Sequence, residues 1–222
     1  MDIPDTLLGE AWYWAAWFVW VPVFALSLFR APWSRLADSD QLSLWLGMVV
    51  LLILIWSMKA GVKPGLGIHL LGACLFTLAF GPFLAFIGLC ATTLGITLNG
   101  SAGGFSFALN ALLMAGIGVC CSQFFYQISL RYLPKHFFVY IFIQGFLSSG
   151  LVALCVGLSI SCLMGLAGVY TWQYLFDDYF PYFVLLGFSE AWLSGMILTL
   201  FVVYRPGWVV TFEDSRYLRD KL

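Results

Sequence analysis

Long runs without a charged side chain constrain the fold of this sequence more than any other feature. Residues 12–29 and 42–58 contain no charge, and about 20 apolar residues in a helix match the roughly 30 Å hydrocarbon core of a bilayer. Backbone groups in lipid must bond within their own segment, and these runs are too continuous for the alternating strands of a barrel. Because 62% of the residues are apolar and 9% are charged, we predict an all-α polytopic membrane protein.

Seven apolar segments are expected to cross the membrane. They cover residues 10–29, 42–58, 66–80, 82–98, 105–130, 137–166 and 179–204. Proline lacks an amide donor and disfavours helix in the preceding residue, so Gly81-Pro82 predicts a tight turn between the third and fourth segments. We expect one seven-helix transmembrane domain, residues 1–204, and a short cytoplasmic tail, residues 205–222.

The distribution of lysine and arginine predicts the orientation of the bundle. With seven spans and the amino terminus outside, two cationic residues fall in outer loops and eight on the cytoplasmic side, as the positive-inside rule requires. The outer pair is Lys59 and Lys63, and the cytoplasmic set is Arg30, Arg35, Arg131, Lys135, Arg205, Arg216, Arg219 and Lys221. The amino terminus is therefore predicted to lie outside and the carboxy terminus in the cytoplasm.

Several functional classes find no support in the sequence. The residues before the first segment are acidic and offer no small-residue cleavage site, so no removable signal peptide is expected. The sequence contains no basic patch for nucleic acid and no nucleotide-binding loop. Its two histidines fall on opposite sides of the predicted bundle, which argues against a catalytic triad or a three-ligand zinc site. We expect a protein that is not an enzyme.

The start of the chain and His69 are the candidate metal ligands. On the predicted topology both lie at the outer ends of helices, where the Met1 α-amine, the Asp2 carboxylate and the His69 imidazole would form a mixed nitrogen and oxygen site. Spacing alone favours the alternative, a hydrogen-bonded interfacial histidine.

Two further polar residues lie in predicted spans. Glu190 is far inside the seventh, where it could act as a gate or coupling residue or be a hydrogen-bonded carboxyl that ties helices together. Asn110 lies near the start of the fifth span. It could orient the metal loop through hydrogen bonds behind the ligands, or equally cap its own helix or bond a neighbouring backbone group.

Four stretches of the sequence resemble one transporter family. The opening MDIPD is similar to Met-His-Ile-Pro-Asp-Gly, and HLLGA at 69–73 followed by GP at 81–82 is similar to Gly-His-Leu-Leu-Gly-Ala…Gly-Pro. ALNA at 108–111 with MAG at 114–116 resembles Gly-Ala-Asn-Val-Leu-Asn-Met-Gly, and GFSEA at 187–191 with YRP at 204–206 resembles Gly-x-Gly-Glu-Gly…Arg-Pro. These motifs are typical of the CbiM/NikM membrane component of cobalt and nickel energy-coupling-factor transporters.

The resemblance implies a ligand set and a set of partners. In the family the terminal amine, residue 2 and the histidine before Leu-Leu-Gly hold the ion, which carries over to Met1, Asp2 and His69. This chain has Asp2 where the family has histidine, and a carboxylate weakens the ligand field and broadens the range of ions beyond Co and Ni to Cu or Zn. The implied partners are a coupling membrane protein, cytoplasmic ATPase subunits and a small auxiliary membrane protein.

These inferences lead to one hypothesis with two alternatives. The first is a substrate-specificity subunit for a divalent transition-metal ion in the bacterial cytoplasmic (inner) membrane, with membrane lipid around it and ATP hydrolysis on other subunits. The second is a non-transporting metal-handling or assembly protein on the same scaffold. The third is a purely structural helix bundle.

Overall fold

The computed structural model describes residues 1–58, 60–61, 63–100 and 102–217. Within them, seven helical segments follow one another, with a small antiparallel hairpin between the second and third. The helices are α1 (Glu10–Arg30), α2 (Ser39–Ser57), α3 (Ala73–Phe80), α4 (Pro82–Leu98), α5 (Phe107–Tyr132), α6 (Phe137–Leu166) and α7 (Trp172–Tyr204), and the strands are β1 (Ala60–Gly61) and β2 (Gly67–Ile68). Two 3₁₀ turns (Trp33–Ala37 and Pro206–Trp208) and α8 (Asp214–Tyr217) complete the described chain.

The predicted all-α membrane class is confirmed. Five helices, α1, α2, α5, α6 and α7, are long and apolar enough to cross a membrane. Helix α4 has 17 residues and α3 has eight. Lys59, Arg219, Lys221 and the side chain of Arg216, which contribute to the predicted charge asymmetry, lie outside the described residues, as does the end of the predicted tail. The orientation and the seven crossings therefore stay predictions.

The third predicted span, residues 66–80, is wrong in its first half. Helix α3 begins only at Ala73, and the preceding residues are irregular apart from β2. Gly72 adopts a left-handed backbone with φ of 67°, which no right-handed helix contains. The amide groups of Leu71 and Gly72 bond to the Glu190 carboxylate. His69 therefore lies in an irregular segment between β2 and α3 rather than on a helix.

The seventh predicted span begins too late. Helix α7 starts at Trp172 rather than at residue 179, because the Thr171 hydroxyl accepts a hydrogen bond from the Tyr174 amide at 3.3 Å and caps the helix at this earlier position. The added residues include Asp177 and Asp178 in a π-helical stretch, Leu175–Tyr179. Two carboxylates lower the local hydropathy, so composition alone predicts that the span begins after them.

Helix α3 lies at the centre of the bundle. It packs against α4, α5, α6 and α7, and all eight of its side chains are buried. Helices α6 and α7 pack closely through glycine, since a Cβ on Gly150 would lie 2.9 Å from the Gly187 carbonyl oxygen. Close backbone approach through small residues is the usual way for helices to associate in lipid.

The loops gather at two opposite ends of the bundle. Residues 1–9, the β1–β2 hairpin, the loop before α5 and the loop before α7 form what we call the N-terminal face. The loop after α1, the loop after α5 and residues 205–217 form the C-terminal face, where the Arg35 guanidinium donates to the Gly207 carbonyl at 3.1 Å. The candidate ligands all lie at the N-terminal face.

Candidate metal site

The first residues of the chain fold back into the bundle. Met1 and Ile3 are fully buried, and Asp2 is 6% exposed. The Ile3 amide donates to Asn110 Oδ1 at 3.0 Å, and Asn110 Nδ2 donates to the Ile3 carbonyl at 3.0 Å. One side-chain amide thus satisfies both backbone polar groups of Ile3, as a neighbouring strand would. Asn110 fixes the position of the chain start relative to α5.

A second anchor holds the terminal amine itself. The α-amine of Met1 donates to the carbonyl oxygen of Gly67. Gly67 lies in β2, where it pairs with Gly61, and it precedes His69 by two residues. The hairpin therefore brings the amine and the histidine segment together across 66 positions of sequence.

Asp2 and His69 form a buried pair. Asp2 Oδ1 lies 3.8 Å from His69 Nε2, and both side chains are almost fully enclosed. A divalent ion bonds nitrogen and oxygen ligands at about 2.1 Å. At that bond length a 3.8 Å separation corresponds to an angle of about 130° at the ion. The pair is therefore spaced to share one cation.

The neighbours of the imidazole indicate which ring nitrogen would bind a cation. His69 Nδ1 lies 3.1 Å from the Leu70 carbonyl oxygen, which can only accept a hydrogen bond. A neutral ring in that contact carries its proton on Nδ1, so the lone pair is on Nε2, the atom that faces Asp2. A backbone carbonyl that orients a histidine in this way is common behind metal-binding imidazoles.

Aromatic side chains border the pair. The Trp56 indole lies on the His69 ring with 4.7 Å between centroids, and Tyr179 lies within electrostatic range of Asp2. Both are fully buried, and among the described residues neither the Trp56 Nε1 nor the Tyr179 hydroxyl has a hydrogen-bond partner. The Trp56 donor belongs to a ring in direct contact with the imidazole.

Two supporting residues were missed by sequence reasoning. Asp5 Oδ1 accepts a hydrogen bond from the Ser106 amide at 2.6 Å, and its carboxylate fills the space that a side chain at Gly103 would need. The Tyr13 hydroxyl donates to the Pro4 carbonyl at 2.7 Å and accepts from the Leu8 amide at 3.1 Å. Both fasten the segment that carries Met1 and Asp2.

Glu190 lies close to the histidine segment rather than beside the chain start. Its carboxylate is 3% exposed and accepts hydrogen bonds from the Leu71 and Gly72 amides, the latter at 3.1 Å. Ser194 donates to its second oxygen at 3.4 Å. Because Leu71 is two residues after His69, Glu190 ties α7 to the backbone that presents the imidazole.

The β1–β2 hairpin contacts the α6–α7 loop at the N-terminal face. The Tyr170 hydroxyl donates to the Pro64 carbonyl at 2.8 Å, and Lys63 Nζ lies 3.7 Å from the centroid of the Tyr174 ring. The Tyr170 hydroxyl is protonated at neutral pH, and burial raises its pKa further above the ordinary value. The hairpin is thereby joined to the α6–α7 loop and to the first turn of α7 at the N-terminal face.

The side chains of the site offer a mixed donor set. Among the described residues, no group of three His, Cys, Asp or Glu side chains comes together anywhere. A cation at the Asp2–His69 pair would have to complete its coordination from the Met1 amine, backbone carbonyls or solvent. The structure brings Met1, Asp2, His69 and Asn110 together, whereas their role as ligands and supports stays a prediction.

Comparison with known proteins identifies the family. The model of the cobalt uptake substrate-specific transmembrane region, CbiM, matches residues 2–208. The chain belongs to the CbiM family. As a CbiM-family member it is a membrane component of metal uptake. None of the curated proteins matches the sequence.

Two solved structures share the fold of this CbiM-family chain. One is described as a truncated transition metal transporter, with a TM-score of 0.70, 19% identity, and coverage of 92% of this chain and 99% of that one. Another, described as a transition metal transporter, has a TM-score of 0.66 and 19% identity, covering 90% and 92% of the two chains. At this identity the likeness concerns the fold.

Proposed function

We propose that this protein is the substrate-specificity subunit of an energy-coupling-factor transporter for a divalent transition-metal ion. The observation that supports this most is the buried Asp2–His69 pair, 3.8 Å apart, beside an amine that folds back onto the same hairpin. Family membership supports a role in transport, and the donor atoms support the class of ion.

The donor set suggests a broader ion range than a nitrogen-only site would have. One imidazole, one carboxylate and an amine suit cobalt, nickel and zinc, and Cu²⁺ by its general affinity. Replacing Asp2 by the histidine typical of the family would add a nitrogen ligand and favour nickel and copper. Asp2 is thus the residue proposed to set selectivity.

Energy for uptake would come from other subunits. The sequence contains no nucleotide-binding loop, so this protein is proposed to act with a coupling membrane protein and cytoplasmic ATPases, and with a small auxiliary membrane protein. It is proposed to lie in a bacterial inner membrane with seven crossings, the N-terminal face outside and the C-terminal face in the cytoplasm. A transport component of this kind needs no catalytic residues of its own.

Ion binding by the purified protein tests the proposal. Calorimetric titration with Co²⁺, Ni²⁺, Zn²⁺ and Cu²⁺ should show one site, and His69→Ala or one residue added before Met1 should weaken it more than about 100-fold, because each removes a ligand. Asp2→His should raise the preference for Ni²⁺ over Co²⁺ about tenfold or more.

The second histidine provides the matched control for that titration. His136 lies at the start of α6 on the C-terminal face, where its Nδ1 accepts from the Phe138 amide, so His136→Ala should bind ions like the wild type. If the wild type binds none of the four ions, or if His69→Ala binds as the wild type does, the proposed site is wrong. Binding without energised uptake in cells that express the partner subunits would favour the metal-handling alternative.

A further inference from the structure

Helix α3 connects the two faces of the bundle. Its eight residues span about 12 Å at 1.5 Å per residue. All eight are at most 7% exposed, so the helix has no free surface into which it could shift. Because protein interiors are packed as densely as organic crystals, displacement of such a helix displaces whatever it carries.

The first end of α3 carries the histidine segment. The amides of Leu71 and Gly72, just before the helix, bond to the Glu190 carboxylate. A Cβ on Gly72 would lie 2.7 Å from the Leu52 side chain, so this turn is also closely packed against α2. His69 lies two residues before Leu71, so the position of its side chain depends on the position of this turn.

The second end of α3 is held by the C-terminal segment, residues 209–217. The last carbonyl groups of a helix have no partner within the helix. Here the Leu78 and Ala79 carbonyls accept from the amides of Thr211, at 3.3 Å, and Val210, at 3.0 Å. The Thr211 hydroxyl adds a second bond to the Leu78 carbonyl at 2.8 Å.

Thr211 is itself fixed by two other helices. The Tyr126 hydroxyl of α5 donates to the Thr211 carbonyl at 3.1 Å, and the Tyr140 hydroxyl of α6 lies 2.6 Å from the Thr211 hydroxyl. A hydroxyl has one proton, and that of Thr211 is given to the Leu78 carbonyl, so Tyr140 is the donor to Thr211. The side chain of Thr211 therefore joins α3 and α6, and its backbone carbonyl joins α5.

We propose that Thr211 is a positioning residue for the ion site at the opposite face. It fixes the axial position of α3, and α3, clamped at its other end by Glu190, sets where His69 presents its imidazole. This inference rests on the proposed ion-binding function. On this proposal, a partner that binds the C-terminal segment would alter the ion affinity of the site. By thermodynamic linkage, ion binding would alter the affinity for that partner by the same factor.

Hydroxyl variants at Thr211 test the proposal by ion titration. Thr211→Val keeps the shape but removes the hydroxyl, and should weaken ion binding about tenfold. Thr211→Ser keeps the hydroxyl and should restore the wild-type affinity. Thr199→Val is the matched control, because the Thr199 hydroxyl donates to the Gly195 carbonyl within α7 only, and it should leave the affinity unchanged.

Hydrogen exchange of the wild-type protein distinguishes a positioning role of Thr211 from a merely structural one, because only the first makes exchange at Thr211 depend on the bound ion. Ion binding should slow exchange of the Val210 and Thr211 amides at least about threefold, and Glu190→Gln should reduce this effect. Full ion affinity in folded Thr211→Val, with no ion-dependent protection of residues 210–211, would overturn the inference while ion binding by the wild type stands. No binding by the wild type would instead refute the proposed function, and this inference with it.

Discussion

Asn110 shows how a single side chain can fix the position of the chain start, which holds two of the proposed ligands. A free chain end loses conformational entropy on docking, and here both backbone groups of Ile3 are satisfied by one amide. The amide is itself held in place at the start of α5, with Nδ2 3.4 Å from the Ser106 hydroxyl. Asn110 thereby allows Met1 and Asp2 to occupy a defined position.

Asn110→Ala should release the chain start. Two hydrogen bonds are lost and two buried backbone groups of Ile3 are left unsatisfied, which costs about 2 to 4 kcal/mol of docking free energy. Ion affinity measured by calorimetry should fall roughly 30-fold or more, since 1.4 kcal/mol corresponds to a factor of ten. Asn99→Ala is the control, because Asn99 is an exposed residue at the end of α4. An Asn110→Ala protein that binds ions as tightly as the Asn99→Ala control would contradict this role.

At the residue scale, the sequence identified the rare polar groups and missed the common ones. His69 and Glu190 stand out because an ionisable side chain in an apolar segment is costly and needs a reason. Tyr13 and Trp56 do not stand out, since aromatic residues near helix ends are ordinary in membrane proteins. The hydrogen bonds of Tyr13 to Pro4 and Leu8 depend on how residues 1–9 fold back, which composition does not encode.

At the scale of elements, the contact between α6 and α7 leaves no space for an added Cβ atom. Gly150→Ala puts a Cβ 2.9 Å from the Gly187 carbonyl oxygen, so the helices must separate. We expect a loss of about 1 to 3 kcal/mol in unfolding free energy from overpacking, measured by reversible unfolding in detergent. Gly47→Ala in α2 meets nothing within 4 Å and should be neutral or gain up to about 1 kcal/mol. Equal stability of the two variants would mean that α6 and α7 do not pack in this way.

The boundaries of the helices were predictable where a specific residue ends them. Pro82 sets the start of α4 at the predicted position, and α6 also has its predicted bounds. The third span was mistaken because hydropathy registers apolar composition, and residues 66–72 are apolar without being helical. Their backbone is determined by the left-handed Gly72 and by Glu190, a residue 118 positions away. Such long-range hydrogen bonds override local propensity.

At the scale of the whole molecule, the proposed function depends on which face is outside. Cysteine substitutions in a cysteine-free background can be labelled with a membrane-impermeant maleimide in intact cells. Asn99→Cys and Gln173→Cys, both exposed at the N-terminal face, should react without permeabilisation. Ser34→Cys and Gly207→Cys, exposed at the C-terminal face, should react only after permeabilisation, because cationic loops are retained in the cytoplasm. The reverse pattern would place the Asp2–His69 pair on the cytoplasmic side, where it could not capture an ion for uptake. Labelling of all four in intact cells would show that the number of crossings is not seven.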